Sequence, residues 1–149
     1  MAGWERTRWA FRATPTGRAL VAAALVGIHL LVAPRLVPSL AHLPLLGWLR
    51  PHVTNLHLCF VVVLVGGIAS ALEAGRLRGA WAAVAFVFAA NLGFEFLLPD
   101  GDNLLADGNT RDPWDAVAGL AGVAAALAVS WAYLRWGIEP VDGRAGVES

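Results

Sequence analysis

The sequence predicts an all-α protein, an integral membrane four-helix bundle with both termini cytoplasmic. Three observations predict it. Of 149 residues 58% are hydrophobic and only 15% charged, with a mean hydropathy of +0.61, a composition that belongs with membrane chains. Four apolar runs, 19–33, 53–72, 80–98 and 116–136, are separated by polar or proline-rich segments. None of them alternates with the two-residue period of a barrel strand, and a helix satisfies every backbone group within lipid.

The first run lies between Arg18 and Pro34-Arg35, and its fifteen residues make a helix of roughly 22 Å against a bilayer core of about 30 Å. Residues from Thr16 onward are therefore expected to extend it. The basic segment 1–18 resembles the start of a signal peptide, but no small-x-small cleavage site ends the run, so an uncleaved first helix is expected. Between the first two runs, "PRLVPSLAHLPLLGWLRPH" holds four prolines. That density is expected to prevent a continuous helix and to leave the segment in the interface or dipping back into the protein. The second and third runs are close to the length of a span, and the fourth carries no ionisable group before Arg135. Residues 137–149 read as a short disordered tail.

All eleven basic residues are arginine. With a cytoplasmic amino terminus, Arg6, Arg8, Arg12, Arg18, Arg76, Arg78, Arg135 and Arg144 fall inside, and only Arg35, Arg50 and Arg111 outside. This is the asymmetry that sets membrane orientation. Trp48 and Trp114 then mark the outer boundary and Trp81, Trp131 and Trp136 the inner one. The acidic connection from Pro99 to Asp115 faces outward, and the location expected is the inner (plasma) membrane, multi-pass.

Net charge is zero and the arginines form no stripe, so no nucleic-acid partner is expected. Cys59 lies in an apolar run, where packing is the expected role. Glu73, Arg76 and Arg78 read as a solvated turn, and Gly66, Gly67 and Ser70 as a packing face. "DGDNLLADGN" fails the calcium-loop pattern, since Leu104 and Leu105 stand where Asx and glycine are needed. His29 and His57 could pair as axial haem ligands, but no supporting motif accompanies them. Lone histidines in apolar runs more often bond to neighbouring helices. His42 and His52 read as interfacial. No metal and no cofactor are expected.

Glu95 is the sharpest signal for a site. It stands four residues after Asn91, on the same helical face, and an ionisable group in a span usually faces the protein interior or a water-filled cavity. The bland alternative is a reach to headgroup water from the last turn, against which Phe94 and Phe96 argue. In "DPWD", Asp112 suits an N-cap, Pro113 the first helical position and Asp115 the third, and both carboxylates favour the positive helix end. Asp115 is read both ways, as cap and as site. Gly119, Gly122 and Ala126 continue its face and admit a close neighbour, for which the third helix is the natural candidate. Arg111 would be the balancing cation, or an exposed loop residue.

The order of Asn55 with "LHLCF", then Glu95, Arg111, Asp115 and Gly122, resembles the VanZ-like family of small bacterial membrane proteins over roughly residues 53–130. The family's glutamine after the glutamate is absent here, and Gly119 replaces its asparagine four residues after the aspartate. "RDPWD" also looks like the loop of YjdF-like membrane proteins. The resemblance implies a polytopic envelope protein, associated in some members with glycopeptide resistance, and it supplies no reaction.

The function expected is an outward acidic pocket that binds an envelope ligand or a membrane-protein partner. Glu95 and Asp115 would anchor it, with Arg111, Asn91 and Asp112 around them. A small transporter or proton relay using Glu95 and Asp115 is the second class, and a structural subunit of a membrane complex is the third. An enzyme would need a nucleophile or metal set that no motif here supplies, so the reading leans away from one. The lipid bilayer is the expected partner, and a homo-oligomer is left open.

Overall fold

The computed structural model describes residues 9–36, 44–93 and 113–141. In chain order these form β1 (Phe11–Ala13), α1 (Pro15–Leu36), α2 (Pro44–Ala74), α3 (Arg78–Leu92), α4 (Pro113–Trp136) and β2 (Ile138–Pro140). The described residues are thus mostly helical. Two stretches, His52–Ala74 and Trp114–Trp136, are long and apolar enough to cross a membrane.

Local chemistry sets the helix ends. Thr14 caps α1, its Oγ1 accepting the Gly17 N–H at 3.0 Å, and Pro15 takes the first helical position, where its missing N–H costs nothing. The helix starts ahead of its apolar run, as the short run required, and its 22 residues give about 33 Å. Pro113 likewise opens α4. The stretch read as proline-broken behaves differently: α2 starts at Pro44 and runs on through Pro51. Pro44 stands at the permitted first position. Pro51 removes one ladder bond, a loss that membrane helices tolerate when neighbouring helices hold the strand of backbone in place. At its other end α2 stops at Gly75, whose φ of +60° is a left-handed conformation suited to glycine.

The central element is α2, which packs against each of the other helices and most extensively against α4. Across the α2–α4 seam His52 faces Asp115, Leu56 faces Gly122 and Gly67 faces Ser130, pairs separated by 63, 66 and 63 positions. A nearly constant offset means that these helices run parallel. Against α3 the order reverses, with Gly66 beside Ala83 and Ser70 beside Gly79, so that pair is antiparallel. Small residues make both approaches possible. A Cβ at Gly66 would sit 2.6 Å from the Gly79 carbonyl oxygen. Between the seams lie Ile28 of α1, Phe60, Val63 and Leu64 of α2, Val87 of α3 and Ala126 of α4. Cys59 is buried among them, as a packing residue should be.

Large apolar side chains face outward. Val26, Leu30, Leu58, Val65, Phe86, Phe88, Val117 and Leu120 are all exposed, while Ser70 and Ser130 are buried. So much exposed apolar surface is uncommon on a water-soluble monomer.

The tail expected to be disordered is ordered at its start. Ile138–Pro140 pairs antiparallel with Phe11–Ala13, in the register Phe11 to Pro140, Arg12 to Glu139 and Ala13 to Ile138. Backbone bonds extend the ladder at both ends, Thr14 N–H to Gly137 O at 2.9 Å and Val141 N–H to Ala10 O at 3.0 Å. Phe11 rests on Gly75, so the ribbon and the α2–α3 turn lie together at one end of the helices. Arg12 and Glu139 bridge the strands at 2.8 Å, with side chains 64% and 47% exposed. Exposed pairs contribute about 0–1 kcal/mol. Arg12→Ala should therefore lower the melting temperature in detergent only slightly. A large drop would mean that the ion pair, and not the backbone ladder, holds the ribbon.

Candidate functional site

At the end of the bundle opposite the ribbon, Asp115 and His52 meet. Asp115 lies in the first turn of α4, where the helix dipole favours an anion. His52 lies two turns into α2, and its Nδ1 is 2.8 Å from Asp115 Oδ1. The ring is 7% exposed and the carboxylate 26%, so the imidazole is inside the bundle while the carboxylate touches its edge.

The seam dictates this meeting. Ala118, Gly119, Gly122 and Ala126 follow Asp115 on the face turned to α2, and all four are buried. A Cβ at Gly122 would fall on the carbonyl oxygen of Leu56, so only glycine lets the backbones come this close. Parallel packing then brings both amino-terminal ends together, with His52 one helical turn before Leu56. The small-residue face behind Asp115 was expected to receive the third helix. It receives α2 instead, since α3 makes only a minor contact with α4.

An ionised carboxylate only accepts hydrogen bonds, so His52 Nδ1 carries the proton in this pair. The carboxylate fixes the ring's orientation and tautomer. Such a pair can take up and release a proton, or hold a polar group in a fixed direction. Of the predicted site residues, only Asp115 has a described side chain. Glu95, Arg111, Asp112 and the side chain of Asn91 lie outside the described residues, as does His42.

The sequence reads His52 only as interfacial and does not assign it to the site; the structure buries its ring against Asp115. The available signal was the glycine and alanine face after Asp115, which announced a close neighbour without saying which. Asn55 is three residues beyond His52 and half-buried.

A second pair of imidazoles lies deeper. His29 of α1 and His57 of α2 are in edge-to-face contact, with ring centres 5.1 Å apart and planes at 84°. His29 Nδ1 donates to the Leu25 carbonyl at 2.7 Å, within its own helix. His57 Nε2 is buried without a hydrogen-bond partner. The expected bonds to neighbouring helices are thus replaced by a contact between the two rings. Among the described residues no group of three or more His, Cys, Asp or Glu side chains gathers.

No model of a known family, no curated protein and no solved structure matches the chain, so the candidate site stands on its own geometry.

Proposed function

We propose that the chain is a multi-pass inner-membrane protein whose outward-facing polar site binds an envelope-associated ligand or a membrane-protein partner. The observation that carries this reading is the His52–Asp115 pair, ordered at the end of the helices opposite the β1–β2 ribbon. The acidic segment carrying Glu95, Arg111 and Asp112 precedes α4, the helix that carries Asp115. The order of Asn55, Glu95, Arg111, Asp115 and Gly122, which resembles that of VanZ-like proteins, supports an envelope role.

Insertion in the bilayer is supported by the exposed apolar shell, since water-facing proteins rarely expose such surface without a partner. Trp114 and Trp136 are both exposed and stand at the two ends of α4, about 33 Å apart, close to the thickness of a bilayer core. Trp81 and Trp131 are exposed as well. Arg12, Arg18, Arg76, Arg78 and Arg135 cluster toward the ribbon end, which favours that end as cytoplasmic. Reporter fusions after Arg78 and after Ser149 should then report cytoplasm, and a fusion near Asn103 the outside. Any other pattern overturns the orientation and puts the acidic segment on the wrong side for an envelope ligand.

The site is tested by deletion followed by rescue. A deletion strain should change its susceptibility to at least one cell-wall agent, and no change with any such agent would remove the envelope reading. In rescue, Asp112→Asn should be mild, because asparagine caps helices about as well as aspartate. Glu95→Gln should accumulate normally yet fail to complement. The opposite pattern would make the acidic corner a structural cap.

The imidazole–carboxylate pair also favours a second reading, a proton relay. A carboxyl stretch that follows transport in difference infrared spectra, and disappears in Asp115→Asn, would select the relay over passive binding.

A further inference from the structure

Away from the His52–Asp115 pair, a cleft of about 680 Å³ opens where the ribbon meets the end of α4. Its lining is Phe11 of β1, Gly75 at the α2–α3 turn, Trp131, Leu134 and Arg135 of α4, and Ile138 of β2. That size falls within the roughly 300–1,000 Å³ of small-molecule sites. Trp131, Leu134 and Arg135 are spaced three and four residues apart, so they share one face of the helix. The ribbon is anchored beside that face, through Phe11 on Gly75 and Gly137 on the Tyr133 carbonyl, and leaves it open.

The side chains lining the cleft are apolar apart from one cation. Arg135 is exposed, and among the described residues it has no carboxylate partner; Glu139, four residues on, is bonded to Arg12. A cation in the last turn complements the helix dipole, which accounts for the charge but leaves the guanidinium fork without an anion. That planar fork matches a phosphate group bidentately. Trp131 and Phe11 offer ring faces that attract an ammonium, but Arg135 beside them repels one, and no described Asp or Glu lines the cleft to hold it.

Depth identifies the kind of phosphate. Trp131 and Trp136 are both exposed, their rings edge to face with centres 5.5 Å apart, and such indoles sit at the level of lipid headgroups. Arg135 lies between them in the chain, while Trp131, one turn deeper, meets the first carbons of an acyl chain. Arg12, Arg18, Arg76 and Arg78 share this end with only Glu73 and Glu139 as described carboxylates, and basic pockets between helices on the cytoplasmic side take anionic headgroups. We propose that this cleft binds one anionic phospholipid of the cytoplasmic leaflet, its phosphate on Arg135 and its glycerol and upper chains against Trp131, Leu134 and Ile138. The leaflet rests on the orientation proposed above; the headgroup chemistry does not.

The test is native mass spectrometry of the full-length protein in detergent with equimolar phosphatidylglycerol and phosphatidylethanolamine of the same chains. One phosphatidylglycerol should be retained about tenfold more strongly, the size of one charge-assisted contact. Arg135→Gln should remove the preference, and its melting profile should stay that of wild type because the side chain is exposed. Leu134→Trp, which fills the cleft and keeps the charge, should weaken retention to the same extent. Arg18→Gln and Arg78→Gln change exposed cations of the same end that do not line the cleft, and they should keep the preference. Equal retention of the two lipids, or unchanged retention in Arg135→Gln, would overturn the site. So would an equal loss in Arg18→Gln or Arg78→Gln, which means diffuse attraction, or displacement by excess glycerol 3-phosphate, which means a soluble phosphate ligand. Reversed reporter fusions would overturn the leaflet alone, since binding in detergent does not depend on orientation.

Discussion

Gly122→Val should be among the most damaging substitutions in the described helices. Its Cβ would fall on the Leu56 carbonyl oxygen, which is backbone and cannot rotate aside. The two helices would have to separate, and separation also weakens the His52–Asp115 and Gly67–Ser130 contacts along the same seam. Overpacking a tight contact typically costs 1–3 kcal/mol, and about 3 or more is expected where the obstacle is backbone. The measurement is thermal stability in detergent together with folded yield. Gly27→Val is the control, because a Cβ at Gly27 meets nothing within 4 Å, and it should melt close to wild type. Gly67→Ala gives an intermediate case. Its obstacle is the Ser130 side chain, so Ser130→Gly should restore much of the loss. Equal melting of Gly122→Val and Gly27→Val would mean that the α2–α4 approach does not govern stability.

The seam also shows which parts of this protein could be read from residues alone. Apolar runs announce helices because every backbone group in lipid must be satisfied internally, and Pro113 marked the start of α4 through its fixed φ and missing N–H. Pro44 and Pro51 misled because proline density argues for interruption only when nothing else holds the helix. The ribbon was unreadable: strands of three residues have no periodicity to detect, and their pairing joins residues 127 positions apart, as Arg12 and Glu139 are. For the site, Asp115 was visible through its place after Pro113, and its small-residue face was visible too. What a stripe of small residues cannot specify is the identity or direction of the helix that fills it. That missing information, α2 running parallel to α4, is what brings His52 to Asp115. His29 and His57 were noticed only as lone histidines in apolar runs, and the packing of α1 against α2 is what brings their rings into contact.

The second large effect concerns the pair itself. Asp115→Leu should destabilise strongly, because it removes the acceptor from a buried ring and an anion from the positive end of α4. Breaking one partner of a buried, hydrogen-bonded pair costs about 3–5 kcal/mol at the upper end, and the partial exposure of Asp115 places the expectation below that, near 2 kcal/mol. Asp115→Asn should be much milder, since the amide oxygen can still accept from Nδ1 while the charge is gone. Its effect should fall on complementation, which needs the carboxylate. His52→Phe should destabilise by an amount similar to Asp115→Leu, by leaving the carboxylate without this donor. The double variant His52→Phe/Asp115→Leu should then recover part of the loss, with a coupling of about 0.5–3 kcal/mol for groups in direct contact. Additive losses in the double variant would mean that the two side chains do not act together, and the site would have to be rebuilt around Glu95 alone. If the coupling is present and Asp115→Asn still complements fully, the pair is a clasp between α2 and α4, with the ligand recognised elsewhere on the acidic segment.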